Sequence, residues 1–122
     1  MIRNLLLVGL GGGIGSMLRY AAGLFINSKH FPYATLTVNI IGSFIIGLVI
    51  ALSLKEQALS NNWKLFLTTG ICGGFTTFSA FSVENILLLQ NGKAGIAIIY
   101  ILLSIVLGIG AAFLGYYLAI KN

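Results

Sequence analysis

Apolar positions along this chain fall into four long blocks rather than into short helical or strand periods. The blocks run from Leu5 to Ile26, Ala34 to Leu54, Leu65 to Leu89 and Ala94 to Ile120. Each is long enough for a helix that crosses a bilayer, which takes roughly 20 apolar residues. Polar segments separate them. Asn27-Ser28-Lys29-His30-Phe31-Pro32 carries the only proline, and Gln90-Asn91-Gly92-Lys93 reads as a tight turn. Lys55-Glu56-Gln57 with Ser60-Asn61-Asn62-Trp63-Lys64 forms the longest connection. The pattern predicts an all-α membrane protein of four transmembrane helices in a single domain, residues 1–122. Arg3 followed by Leu5 to Leu10 looks like the start of a signal peptide. The glycine-rich continuation and Arg19 instead predict a first membrane helix that is retained.

Composition strengthens this reading. Only 7% of residues are charged, against about 25% in soluble domains, and the mean hydropathy is +1.03. A soluble globule is excluded. The net charge of +5 does not point to nucleic acid, because the basic residues are scattered singly and form no patch. The single cysteine, Cys72, rules out an intrachain disulfide and reads as a small packing residue. Counted by side, Arg3, Lys55, Lys64 and Lys121, with Glu56, face Lys29, Lys93 and Arg19. The Lys/Arg bias that sets membrane orientation is nearly absent. Insertion in both orientations, and hence an antiparallel homodimer, follows as one expectation. A single orientation set by a few residues is the alternative. Four helices enclose little room, so a pore would need a second copy. The pairs Gly9/Gly13, Gly11/Gly15, Gly70/Gly74 and Ala111/Gly115 are spaced to let helix backbones approach.

Two apparent motifs carry no chemistry. The run Gly9-Leu10-Gly11-Gly12-Gly13-Ile14-Gly15 satisfies the G-x-G-x-x-G spacing of a dinucleotide loop in no register, and no βαβ pattern follows. His30, the only histidine, sits in a turn beside Lys29. The chain has no aspartate, which excludes a Ser-His-Asp set, and with two carboxylates and one histidine an enzyme reading lacks parts.

Polar residues at membrane depth are functional candidates by default. Arg19 lies within the first span, as an interfacial anchor beside Tyr20, as a charge at a pore mouth, or as both. Asn39 and Ser43 share a face of the second span. The buried Asn39 amide either ties two helices together or offers its donors to an anion. In the third span Gly73-Gly74 is placed to break the helix and free backbone groups. Phe75, Phe78 and Phe81 recur every third residue there, beside Thr76, Ser79 and Ser82. Phenyl edges are electropositive and can contact an anion without holding it tightly. Tyr100, Ser104 and Gly108 open one face of the fourth span.

Three segments together resemble the small bacterial fluoride channels, the Fluc or CrcB family. They are Gly15-Ser16-Met17-Leu18-Arg19-Tyr20, Thr35-Leu36-Thr37-Val38-Asn39-Ile40-Ile41-Gly42-Ser43-Phe44, and the most specific, Gly70-Ile71-Cys72-Gly73-Gly74-Phe75-Thr76-Thr77-Phe78-Ser79-Ala80-Phe81-Ser82. The resemblance implies an antiparallel homodimer in the cell membrane with two pores, conducting fluoride passively. It implies a structural Na⁺ at the dimer centre, held by carbonyls at positions matching Gly73 and Thr76. It also implies that Phe78 and Phe81 line the fluoride path with Asn39, Tyr100 and Ser104, and that Arg19 sits at the vestibule. Ala34 and Ala80 depart from the family's usual glycine and threonine, and Gly108 stands where a track hydroxyl can occur. Glu84 follows the third segment as in many relatives, with a polar-partner role as its simplest reading.

Two other readings compete. A proton-coupled exporter of the small multidrug resistance type needs a carboxylate in the first span, which has none. A non-transporting subunit of a membrane complex would explain the glycines but not the Thr/Ser/Phe stripes.

Overall fold

The computed structural model describes residues 1–28, 30–55 and 59–121, and every regular element among them is helical. The loop charges Lys29 and Glu56, and Gln57, lie outside the described residues. Helix α1 covers Ile2–Phe25 and α2 covers Tyr33–Leu54. The third span, Asn61–Gln90, is composite. It begins with α3 (Asn61–Leu65), widens into π-type turns over Phe66–Cys72, and continues as α4 (Gly73–Phe75) and, after a break, α5 (Phe78–Gln90). The last helix, α6, covers Ala94–Lys121. Four spans among the described residues are long and apolar enough to cross a bilayer. The protein is a multi-pass membrane protein.

The third span starts earlier than the hydropathy pattern predicts. Ser60 caps it, accepting the Trp63 N–H at 3.3 Å, as a serine at a helix start does. Asn61 to Lys64, expected in the connection, are therefore helical. At the other end Gly92 takes φ 73°, a left-handed conformation that glycine enters without penalty, and it turns the chain from α5 into α6.

Two packing units make up the bundle. In one, α2 lies along α6 with small residues at the contact. A Cβ on Gly47 would overlap the Ala112 carbonyl, and one on Gly115 would overlap the Phe44 carbonyl. Val38, Val49, Ala51, Ala97 and Tyr100 are buried here. In the other, α1 meets the first half of the third span. Gly11 presses on the backbone at Gly70, Gly15 on the Ile71 carbonyl, and Gly74 on Gly12. Gly11/Gly15 and Gly70/Gly74 thus face each other, whereas Gly9 and Gly13 have nothing within 4 Å.

The break does not fall where glycine predicts it. Gly73 keeps helical angles (φ −61°, ψ −35°), and the chain becomes extended at Thr76 (φ −86°, ψ 159°) and Thr77 (φ −153°, ψ 119°). The glycines serve close approach to α1. The break is made by threonines whose side chains and neighbours satisfy the backbone that a broken helix releases.

Candidate functional site

A helix broken in a membrane must find partners for its freed backbone groups, because lipid supplies none. Asn39 of α2 supplies two. Its Oδ1 accepts the Thr77 N–H at 2.8 Å, and its Nδ2–H donates to the Thr77 carbonyl at 3.2 Å. One side-chain amide thus pairs both backbone groups of a single extended residue, as a neighbouring strand would. Thr77 also caps α5, its Oγ1 accepting the Ala80 N–H at 3.1 Å. Thr76 Oγ1 donates to the Cys72 carbonyl at 2.8 Å. Its methyl group fills the space that a Cβ on Gly42 would occupy, so Gly42 admits the break against α2.

Arg19 reaches the same place from α1. Its Nε–H donates to the Gly74 carbonyl at 3.0 Å. The guanidinium is therefore fixed at the carbonyl end of the helix before the break. The Gly73 carbonyl loses the donor a continued helix would give it, because the Thr77 N–H goes to Asn39. The Ala80 N–H, four residues beyond Thr76, goes to Thr77 Oγ1. Uncharged carbonyl oxygens released in this way are hard donors, and they fit an alkali cation better than a transition metal.

Beside the break, Asn39, Ser43, Ile46, Thr76, Thr77 and Phe78 line an open cavity of about 240 Å³. Phe78 is 78% exposed. It neighbours Phe81 at 5.6 Å between ring centroids, and Phe81 neighbours Tyr100 at 4.9 Å. The aromatic path therefore runs from the break into the α2–α6 core, where Tyr100 is fully buried. The Tyr100 hydroxyl donates to Glu84 Oε1 at 2.8 Å, and Thr35 Oγ1 donates to Glu84 Oε2 at 2.6 Å. Further along α6, Ser104 Oγ is buried with no hydrogen-bond partner among the described residues. Gly108 stands across from Ser43, whose hydroxyl lies 3.8 Å from where a Cβ would be.

A family profile described as "CrcB-like protein, Camphor Resistance (CrcB)" matches residues 6–116, and so nearly all of the chain. The chain belongs to the CrcB family. It is 47% identical over 121 residues to the fluoride-specific ion channel FluC of Azobacteroides pseudotrichonymphae genomovar. CFP2, covering 97% of each chain. It is 52% identical over 116 residues to a protein of the same name from Thermus thermophilus, covering 93% of this chain and 92% of that one. The FluC of Flavobacterium psychrophilum is 48% identical over 121 residues, with coverage of 97% and 98%.

Within this CrcB chain the structure brings Asn39, Thr76 and Phe78 to one cavity, and Phe81 to Tyr100. It joins Arg19 to Gly74 at the break. Ser104 lies one turn beyond Tyr100 on α6. The predicted stripe of Thr76, Ser79 and Ser82 does not form one face: the break interrupts it, and Ser82 Oγ turns back to the Phe78 carbonyl. The role of Thr77 and the pairing of Glu84 with Thr35 and Tyr100 escaped sequence reading. Thr77 is both the clamped residue and the cap of α5, and a threonine three residues before Ala80 was the available signal. Thr35, Glu84 and Tyr100 form one network, which no spacing rule links across three helices.

Proposed function

We propose that this protein is a fluoride-selective channel giving passive efflux across the cell membrane, assembled as an antiparallel homodimer. The observation that carries this reading is the clamped break at Thr76–Thr77 with phenyl rings leading from it into a polar core. The relatives are fluoride-specific ion channels by name, and on that ground fluoride is the ion proposed here. Fluoride is small and strongly hydrated, so conduction needs donors that replace its water yet release it. Asn39 has a second amide hydrogen beyond the one given to Thr77. Ser104 offers a buried hydroxyl, Tyr100, whose hydroxyl hydrogen goes to Glu84, lines the path with its ring, and the edges of Phe78 and Phe81 add weak positive contacts. Arg19 sits where it can draw anions toward the break. An inside-negative potential drives an anion outward by about 2.3 kcal/mol per 100 mV, so no energy-coupling site is needed and no catalytic residue is involved.

The exposure of Phe78 in one chain, in a protein of four spans, supports a second copy covering that face. The released carbonyls at Gly73 and Thr76, taken from each chain, would hold a Na⁺. Such an ion would supply a fixed positive charge joining the two copies. The test is ion efflux from liposomes containing only this protein. Fluoride should pass, chloride should be held back, and dissipating a proton gradient should change nothing. Equal chloride flux, or strict dependence on the proton gradient, overturns the reading.

A further inference from the structure

We propose that the mouth between the starts of α1 and α3 binds an anionic phospholipid, its headgroup phosphate on Arg3 and Lys64 and an acyl chain in the adjoining groove. Arg3, Asn4, Asn61, Asn62, Lys64 and Thr69 line a cavity of about 460 Å³ there. Among the described residues no carboxylate lines it, and neither cation has an ion-pair partner. Two cations with surrounding amide donors are suited to a phosphodiester. Asn62 also borders a second cavity of about 240 Å³, walled by Leu7, Trp63 and Phe66. That groove is apolar, and its indole is 57% exposed, edge-on to Phe66 at 5.8 Å.

The order of these residues decides the class of ligand. Arg3 and Leu7 are one turn apart on α1, and Asn62 and Phe66 are one turn apart on the third span. On both helices the polar residue lies at the start of the span, and the apolar one lies a turn further in. Trp63 lies in the first turn of the third span, and tryptophan is the residue that membrane proteins enrich at span ends. A free anion would use only the outer half of this arrangement. A phospholipid uses both halves, and basic pockets between membrane helices recognise anionic headgroups.

Trp63 is the only tryptophan, so its fluorescence reports this site alone. The intact protein is placed in vesicles, and brominated-chain phosphatidylglycerol is titrated against brominated-chain phosphatidylcholine as quencher. The anionic lipid should quench with a relative binding constant on the order of tenfold higher. Arg3→Gln with Lys64→Gln should bring that ratio close to one while leaving quenching by phosphatidylcholine intact. Millimolar inorganic phosphate should not reverse the quenching. Equal quenching by the two lipids in the native protein overturns the proposal without recourse to any variant. So does a preference that survives the double substitution, and so does displacement by inorganic phosphate, which would mark a free-anion site.

Discussion

The α2–α6 pair and the broken third span solve the same problem by opposite means. Along α2 and α6 the backbone satisfies itself, and the helices are held by close approach at Gly47 and Gly115. At Thr76–Thr77 the helix gives up its own hydrogen bonds, and side chains from α1 and α2 replace them. The first arrangement needs only small residues at the right spacing. The second needs particular polar groups, each aimed at one backbone atom. The difference teaches that irregular backbone at membrane depth is tolerated where neighbours complete it, and that the completing residues are the ones to test.

The sharpest way to break the comparison is to remove the clamp. Asn39→Ala leaves the Thr77 N–H and carbonyl both unpaired, at a cost of roughly 2–4 kcal/mol. Denaturant unfolding in detergent should show that loss, with fluoride flux abolished. Asn39→Asp keeps the acceptor and loses the donor, so it should fall between. Wild-type stability in Asn39→Ala would mean that the break is held by something else. On the other side of the comparison, Gly115→Leu should push α6 off α2 and destabilise by about 1–3 kcal/mol. Gly110→Ala, where nothing lies within 4 Å, should be neutral or slightly stabilising under the same unfolding assay. A small stability effect is also expected of Ser104→Ala. Its hydroxyl is buried without a partner among the described residues, so removing it should change stability by less than about 1 kcal/mol while lowering fluoride efflux several-fold. A large loss of stability with normal efflux would assign Ser104 to structure instead.

The two regions also differ in how well the sequence announces them. Hydropathy marks α2 and α6 almost to the residue, because a uniformly apolar helix advertises its own length. It marks the third span only in outline. Ser60 moved its start because a single capping hydroxyl outweighs local polarity. Glycine drew attention to Gly73–Gly74, yet a glycine in a membrane helix serves packing as readily as bending, and Gly74 packs on Gly12. The π-type turns over Phe66–Cys72 have no composition of their own to announce them. The residues of the site were legible one at a time, as polar groups with no reason to be in lipid. Their pairings were not, because Asn39 with Thr77, Arg19 with Gly74, and Thr35 and Tyr100 with Glu84 are set by helix packing across 16 to 55 residues of chain.

The claim that matters most is that the rings beside the break form the ion path. It is tested by fluoride efflux from liposomes carrying Phe78→Ile or Phe81→Ile, with assembly followed by chemical cross-linking. Both substitutions keep apolar bulk and remove the electropositive ring edge, so each should slow efflux at least about tenfold, equivalent to about 1.4 kcal/mol of barrier, with cross-linking unchanged. Native efflux rates from both variants would contradict the account.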